Sequence, residues 1–340
     1  MSFTSNVNKT FNLSVTSNEF VNNIFNNNFS FEETALKVFY YQYHNNKIYS
    51  DWCHALHVSI SKVQKLEGIP FLPVSFFKSN KVVCGEFNEE QIFESSGTTK
   101  TINSKHYVKD TSIYKKSFLK SFELFYGNIE EYCIIGLLPS YLERNNSSLV
   151  FMVNELIKLS KKKESGFYLH NLTQLYETLN QLENKKQKTI LFGVTFALLD
   201  LAETFQMKLQ NTIIIETGGM KGRKKELTSN EVHTILNNRL QPGNIHSEYG
   251  MTELLSQAYS TNNGIYKNPP WLKMLVRNED DPMEILSKGK GILNIIDLAN
   301  LYSCAFIAVD DAAEIFENNS FKILGRIDNS DIRGCSLLAL

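Results

Sequence analysis

Several segments of the sequence combine residue types that can bind phosphate, sugar or a metal ion. The first, residues 93–100, reads FESSGTTK and places four hydroxyl residues around one glycine, followed by a lysine. Backbone N–H groups and hydroxyls in such a turn can surround an oligophosphate, although a segment rich in Ser and Thr is also an ordinary turn. The G-x-x-x-x-G-K-[ST] spacing is missing, so the segment is not a Walker loop.

Two further segments lie where strands are predicted to end. Residues 215–219 read IETGG, and a glycine pair there either admits a flat ligand close to the backbone or simply ends the strand. Residues 246–253 read HSEYGMTE, which offers Tyr249 to stack on a base, Thr252 to bind a phosphate and Glu253 to bind Mg²⁺. A helix cap explains Thr252 and Glu253 equally well, because Thr and Glu are favoured in the first turn of a helix.

The last segments bring carboxylates and an arginine together near the C-terminus. Asp310 and Asp311 lie in an apolar run, and residues 325–335 read GRIDNSDIRGC. A carboxylate can accept both hydrogens of a ribose diol, and a following arginine can bind the same sugar or its phosphate. Each segment also has a structural explanation on its own, so a functional interpretation depends on the order of the segments along the chain.

The elements that must position these segments follow from the hydrophobic pattern. Helical spacing is predicted at residues 31–43, 51–66, 149–159, 172–182 and 196–205. Strand patterns are predicted at residues 132–138, 189–194, 212–216, 245–249, 292–296, 304–309 and 321–324. Thr228 and Glu231 have capping-box spacing for another helix, and a further helix is predicted from Thr252. Alternation in the middle of the chain predicts a mainly parallel sheet with helices on both faces and sites beyond the strand ends.

Composition excludes several classes of protein. Across 340 residues, 35 Lys and Arg balance 36 Asp and Glu, and the net charge of -1 provides no basic field for nucleic acid or an anionic membrane. The sequence has no apolar run long enough to span a membrane and no signal-peptide pattern, so a cytoplasmic protein is expected. The five cysteines form no C-x-x-C pair, which argues against a disulfide framework or a zinc site.

In this order the segments resemble the ATP-binding series of the adenylate-forming superfamily, which includes acyl-CoA synthetases and the adenylation domains of peptide synthetases. Within it, the sequence is most similar to the LuxE-type acyl-protein synthetase family, over nearly the whole chain. The similarity includes residues 69–73 (IPFLP), 76–78 (FFK), 104–106 (SKH), 136–140 (GLLPS) and 333–335 (RGC).

The resemblance implies an α/β fold like the large domain of adenylate-forming enzymes, with mainly parallel sheets flanked by helices. We expect a mostly helical segment at residues 1–92 and an acyl-adenylating α/β unit at residues 93–340, together forming one continuous unit. Many relatives continue into a mobile C-terminal lid domain that carries a catalytic lysine. Because the sequence ends five residues after Cys335, we expect this chain to lack that lid.

The resemblance also implies roles for individual residues. The cofactor-binding set is Ser95, Ser96, Gly97, Thr98 and Thr99 in the phosphate loop, Gly218 and Gly219 beside the adenine, Tyr249, Gly250 and Thr252 in the nucleotide segment, and Asp311 and Arg326 at the ribose. Thr252, Glu253 and Cys335 form the catalytic set, and Glu253 is the metal ligand. Asp311 is preferred to Asp310 because Ile315, four positions later, matches the family pattern. Lys100 departs from that pattern, since many relatives have glycine there.

The implied reaction uses ATP and Mg²⁺ to convert a carboxylic acid, with fatty acids favoured, into acyl-AMP and passes the acyl group to a cysteine thiol as a thioester. Cys335 would receive it before an acceptor protein, either a reductase or an acyl carrier protein; a packed structural cysteine is the alternative. The apolar residues 192–199 and those near Tyr249 are expected to form the walls of the acid pocket. Two other functions stay open, namely a ligase acting on coenzyme A or a carrier-protein phosphopantetheine, and a nucleotide-binding subunit without catalysis.

Overall fold

The computed structural model describes residues 18–26, 28–95, 102–138, 146–168, 171–218 and 227–327. The N-terminal elements are helices α1 (Asn18–Phe25), α2 (Phe31–Asn45) and α3 (Lys47–Ala55), strand β1 (Leu72–Pro73) and the short helix α4 (Phe76–Ser79). The helix predicted at residues 51–66 is wrong beyond Ala55. The chain leaves the helix there because His57 has a positive φ of 53°, and short 3₁₀ turns follow.

The central elements alternate between helix and strand, as the hydrophobic pattern predicts. In chain order they are β2 (Gln91–Glu94), β3 (Lys105–Val108), α5 (Thr111–Tyr126), β4 (Cys133–Leu137), α6 (Ser148–Ser160), β5 (Gly166–Phe167), α7 (Leu172–Asn184), β6 (Thr189–Val194), α8 (Thr195–Thr204), β7 (Thr212–Thr217), α9 (Ser229–Leu240) and β8 (Asn244–Tyr249). The predicted capping box is confirmed, since the Thr228 side chain accepts from the Glu231 backbone N–H and the Glu231 carboxylate accepts from the Thr228 N–H.

The C-terminal elements are strands joined by short turns. They are β9 (Ala258–Asn262), β10 (Ile265–Lys267), β11 (Leu272–Arg277), β12 (Ile285–Leu286), β13 (Gly289–Asp297), β14 (Phe306–Ile315) and β15 (Phe321–Arg326). Between β9 and β10, Asn263 and Gly264 have φ values of 54° and 67°, as a tight hairpin turn requires. Where two consecutive strands are also neighbours in the sheet, a connection this short requires them to be antiparallel, because parallel strands need a long crossover.

Within the described residues the strands form one large mixed sheet and a separate β2–β3 hairpin. The sheet order is β12-β11-β13-β14-β15-β10-β9-β8-β7-β6-β4-β5, and β1 pairs with β14. Strands β5, β4, β6, β7 and β8 pair in parallel, whereas β8 to β15 pair with one another antiparallel. The predicted α/β fold with helices flanking the sheet is confirmed, and apart from the short parallel pairing of β1 with β14 its parallel character lies in the middle of the chain.

The hydrophobic core of the described residues extends from the N-terminal helices through the parallel strands to the antiparallel strands. All six residues of β6 are buried, as expected for a strand covered by helices on both faces. A Cβ atom on Gly193 would lie 2.5 Å from the side chain of Leu198, so glycine permits the close packing of α8 on the end of β6. Bonds from Gln42 in α2 to the backbone of Asn300, Leu301 and Ala305 attach the N-terminal helices to the sheet. No helix among the described residues is long and apolar enough to cross a bilayer.

Candidate active site

A cleft of about 370 Å³ lies at the carboxyl ends of β7 and β8, beside the β2–β3 hairpin and the strands β14 and β15. Sites at the carboxyl ends of parallel strands are expected for this type of sheet. The cleft collects residues from segments that are far apart in sequence. Of the residues proposed as binding or catalytic, those lining it are Ser95, Gly218, Gly250, Thr252, Glu253 and Arg326.

The hydroxyl-rich segment is the connection between β2 and β3. Its base is closed by two hydrogen bonds, because the Ser104 N–H donates to Ser95 Oγ at 2.9 Å and the Ser95 N–H donates to the Ser104 carbonyl at 3.0 Å. Ser95 and Ile102, at the two ends of the segment, both line the cleft. The described ends of this connection therefore lie at the cleft. Five proposed binding residues lie outside the described residues, namely Ser96, Gly97, Thr98, Thr99 and Gly219.

Tyr249 and Asp311 do not line the cleft themselves but are brought together with Arg326, which does. The Tyr249 hydroxyl donates to Asp311 Oδ2 at 2.7 Å, and Arg326 Nε lies 3.8 Å from Asp311 Oδ1. Burial raises the pKa of Tyr249, and the Asp311 carboxylate raises it further, so the hydroxyl stays a donor. Asp311 pairs in register with Arg326, whereas Asp310 lines the cleft directly. The carboxylate and guanidinium proposed for the ribose are thus adjacent.

Thr252 and Glu253 lie in a turn, and the helix predicted to start at Thr252 is wrong. The Leu254 N–H donates to the Met251 carbonyl at 3.1 Å, and the chain continues into β9. The buried Asp297 carboxylate directs this path, since it accepts from the Leu255 N–H at 2.8 Å and from the hydroxyl of Ser256 at 2.6 Å. This places Glu253, whose side chain is only 4% exposed, in the cleft wall.

Two polar side chains fix the backbone of this turn. His106 Nδ1 lies 2.9 Å from the Thr252 carbonyl oxygen, and Asn300 Nδ2 donates to the Glu253 carbonyl at 2.6 Å. Burial lowers the pKa of His106 to about 4, so the ring is neutral, and its proton lies on Nδ1 because a carbonyl can only accept. Neither residue was identified as functional from the sequence, although His106 belongs to the SKH motif of the family resemblance.

The charges around the cleft favour a divalent cation. Among the described lining residues, the carboxylates of Glu94, Glu248, Glu253 and Asp310 outnumber the cations of Lys78 and Arg326. Burial raises the pKa of Glu253, while a hydrogen bond with Ser104 and the charges of Arg326 and Lys78 oppose that rise. No group of three or more His, Cys, Asp or Glu side chains in the described part of the chain could hold a metal by itself. A metal here would need ligands from a bound phosphate or water.

The prediction that residues 192–199 form walls of the acid pocket is wrong, because these residues lie in the core and do not line the cleft. Their apolar pattern is that of a buried strand and the helix after it. The part of the wall expected near Tyr249 is confirmed, because Glu248, Gly250 and Met251 line the cleft, and Tyr114, Leu149, Met152 and Gln257 complete the wall. It mixes apolar and polar groups, and burial raises the pKa of Glu248 to about 7.

Cys335 lies outside the described residues. The cysteines in the described part of the chain are Cys53, Cys84, Cys133 and Cys304, and all four are buried. Burial raises the pKa of each thiol, which disfavours the reactive thiolate. None of the four lines the cleft.

The family model for acyl-protein synthetase, LuxE, matches residues 12–339. The chain belongs to this LuxE family. The predicted resemblance is therefore confirmed. A comparison with curated proteins found no match.

Solved structures share the fold of this LuxE-family chain. ATP-bound MatB from Rhodopseudomonas palustris aligns with a TM-score of 0.53 and 15% identity, covering 69% of this chain and 47% of MatB. A 2-hydroxyisobutyryl-CoA ligase in complex with 2-HIB-AMP and CoA aligns with a TM-score of 0.65 and 12% identity, covering 87% of this chain and 74% of the ligase. The chain thus spans about half the length of MatB. These similarities confirm the fold expected from the large domain of adenylate-forming enzymes.

Proposed function

We propose that this protein is an AMP-forming ligase that uses ATP and Mg²⁺ to activate a carboxylic acid as acyl-AMP. The proposal is based mainly on one observation, namely that the phosphate-loop base, the strand-end glycine, residues 250–253 and Arg326 all line the same cleft. Family membership supports the same reaction. One structure with the shared fold was solved with ATP and another with an acyl adenylate, 2-HIB-AMP.

Among the described residues, the charges of the cleft suit ATP better when a divalent cation accompanies it. The described carboxyl groups outnumber the described cations there, even with Glu94 paired to Lys105, and would repel a bare polyphosphate. Glu253 offers one anionic oxygen ligand, and the phosphates and water would complete the shell, as Mg²⁺ prefers. When bound, Mg²⁺ would neutralise charge on the phosphates and orient them.

The proposed roles of the residues follow from their positions. Thr252 would donate to a phosphate, and the Asp311 carboxylate and Arg326 would bind the ribose. His106 and Asn300 position the turn by holding the carbonyls of Thr252 and Glu253. A general base is not required, because a carboxylic acid is already ionised at pH 7 and can attack the α-phosphorus in line.

We propose that the acyl group then passes to the Cys335 thiol as a thioester and onward to an acceptor protein; the name of the family, acyl-protein synthetase, supports a protein as acceptor. The acid is proposed to be fatty, with Leu149 and Met152 in contact with its chain. The second candidate is a ligase that uses coenzyme A, which is favoured by the similarity to a structure solved with CoA.

ATP–pyrophosphate exchange tests the adenylation step. The purified chain should exchange labelled pyrophosphate into ATP only when Mg²⁺ and a suitable acid are present. A panel of straight-chain, aromatic and hydroxylated acids would identify the substrate class in the same assay. Lack of exchange with every acid, together with nucleotide binding, would favour the non-catalytic subunit.

Transfer to Cys335 predicts a covalent adduct on the protein. After incubation with ATP, Mg²⁺ and an active acid, intact-mass spectrometry should show the mass of one acyl group, removable by hydroxylamine. Cys335→Ser should abolish the adduct and leave pyrophosphate exchange intact, whereas the buried Cys84→Ser serves as the matched control. If wild-type protein turns over the acid without ever carrying the adduct, coenzyme A or a carrier protein becomes the better acceptor.

The ribose assignment predicts different effects for two adjacent aspartates. Asp311→Asn removes a charged acceptor from Tyr249 and weakens the pairing with Arg326, so the KM for ATP should rise about 10-fold with a smaller change in kcat. Asp310→Asn should raise the KM for ATP less. Steady-state exchange kinetics at varied ATP would measure both, and a larger effect at Asp310 would reverse the assignment.

A further inference from the structure

Two motifs of the N-terminal segment have no role in the proposed reaction, although they lie beside its cleft. They are residues 69–73 (IPFLP) and 76–78 (FFK). The first contains β1, which pairs in parallel with β14, and the second begins α4. From this part of the chain, Val74, Ser75 and Lys78 line the cleft. The two motifs therefore bring a lysine to the place where the proposed reaction occurs.

Hydrogen bonds fix the backbone that leads into α4. The Trp52 indole N–H donates to the Phe71 carbonyl at 2.9 Å. The Val74 N–H donates to the Ala308 carbonyl of β14 at 2.9 Å. Because β14 continues to Asp311, the start of α4 is held in a defined position relative to the carboxylate proposed for the ribose.

The two phenylalanines of the FFK motif attach α4 on two sides. The Phe76 ring packs edge-on against Trp52, with centroids 5.4 Å apart. Phe77 is 1% exposed and packs edge-on against the His106 ring at 5.9 Å. His106 Nδ1 in turn lies 2.9 Å from the Thr252 carbonyl oxygen. The helix is thus connected through a single side chain to the turn that contains the proposed phosphate and metal ligands.

Lys78 is an exposed cation at this helix. Within the described residues, no carboxylate lies within 4 Å of its ammonium. Burial raises the pKa of Glu253, and the charge of Lys78 is one of the influences that lower it, as expected for two groups that line the same cleft. Arg326, the other described cation of the cleft, lies 3.8 Å from Asp311 Oδ1. Among the described cations, Lys78 is therefore the one available to an anionic ligand.

We propose that Lys78 is a catalytic residue whose ammonium donates to phosphate oxygens of ATP beside Glu253. The proposal rests on the proposed function, since it assigns the cleft to ATP. A compact ammonium on a flexible stem is a common phosphate ligand. In the reaction, a carboxylate oxygen bonds to the α-phosphorus while the bond to the pyrophosphate oxygen breaks, and the electron pair leaves with pyrophosphate. A cation held at these oxygens stabilises the charge in the transition state.

Binding of ATP and adenosine to the full chain tests the contact without catalysis. In isothermal titration calorimetry with Mg²⁺ and no acid, Lys78→Met should bind ATP about 10-fold more weakly than wild type, because a charge-assisted hydrogen bond is lost. Adenosine has no phosphate, so its affinity should be unchanged. Lys78→Arg keeps the charge and should recover part of the ATP affinity. Unchanged ATP affinity in Lys78→Met, or equal weakening for ATP and adenosine, would overturn the proposal.

Exchange kinetics test the catalytic role. Lys78→Met should lower kcat for acid-dependent ATP–pyrophosphate exchange by about 100-fold. The Mg²⁺ concentration for half-maximal exchange should stay the same, because Lys78 does not bind the metal. Lys81→Met is the matched control with wild-type kcat, since Lys81 is paired with Glu89 at 3.1 Å and lies outside the cleft lining.

The two measurements separate failure of this inference from failure of the proposed function. A wild-type kcat in Lys78→Met would refute the catalytic role while adenylation itself stands. If wild-type protein binds ATP with the expected dependence on Lys78 but exchanges no pyrophosphate with any acid, the adenylation reaction is refuted and the phosphate contact is supported.

Discussion

Replacement of Glu253 by Gln is expected to lower acid-dependent ATP–pyrophosphate exchange by about 100-fold or more, the usual effect of removing a group that stabilises charge in a transition state. Glu253 is almost fully buried in the cleft wall, and its backbone carbonyl is fixed by Asn300. Gln has nearly the same shape but lacks the charge that Mg²⁺ requires from its protein ligand. The loss should therefore come from metal binding and not from a displaced turn.

A magnesium titration distinguishes this cause from a structural one. In Glu253→Gln, the Mg²⁺ concentration for half-maximal exchange should increase, and Glu253→Asp should recover part of the activity. Glu279→Gln, at an exposed position outside the cleft, is the matched control. A Glu253→Gln variant with wild-type exchange and an unchanged Mg²⁺ requirement would contradict the metal-ligand role.

Local patterns in the sequence predict much of the parallel half of the fold. The strand at residues 189–194 matches β6, and the Thr228–Glu231 spacing locates the start of α9. Both signals depend only on neighbouring residues, namely a run of β-branched and apolar side chains and a capping box. The helix predicted from Thr252 fails because a Thr followed by Glu suits a helix start and a site turn equally. The turn is decided by Asp297, some forty residues later in the chain.

The candidate site could be predicted only in part, for a similar reason. Segment order identifies Tyr249, Asp311 and Arg326, and the fold brings them into contact. Hydrophobicity alone cannot distinguish a cleft wall from a core, which explains why residues 192–199 were misplaced. The roles of His106, Asn300 and Gln257 depend on contacts across more than 45 residues of sequence, such as the 146-residue separation between His106 and Thr252. Contacts between residues so far apart in the chain cannot be predicted from local sequence patterns.

The stability of the folded protein is expected to depend on pH through Glu248. Burial raises the pKa of Glu248 from 4.5 to about 7, and the neighbouring carboxylate of Glu216 adds to this rise, while the hydrogen bond from Thr217 opposes it. Between these pH values the folded protein binds more protons at Glu248 than the unfolded chain does. The free energy of unfolding should therefore fall as pH rises from about 4.5 to 7, by about 1 to 3 kcal/mol from this residue, because part of the carboxyl group faces the cleft.

Glu248→Gln isolates this contribution. The amide oxygen can still accept from Thr217, but the side chain cannot ionise. Urea unfolding of variant and wild type should give similar stabilities at pH 4.5, and the variant should become more stable by about 1 to 3 kcal/mol at pH 8. Burial lowers the pKa of His106 and His246 from 6.5 to about 4. The contribution of these two histidines to the free energy of unfolding therefore increases as the pH rises towards 6.5. That contribution is common to both proteins and cancels in the difference. A difference that stays constant from pH 4.5 to 8 would show that Glu248 ionises as freely in the folded protein as in the unfolded chain, and the cleft wall would then be fully hydrated.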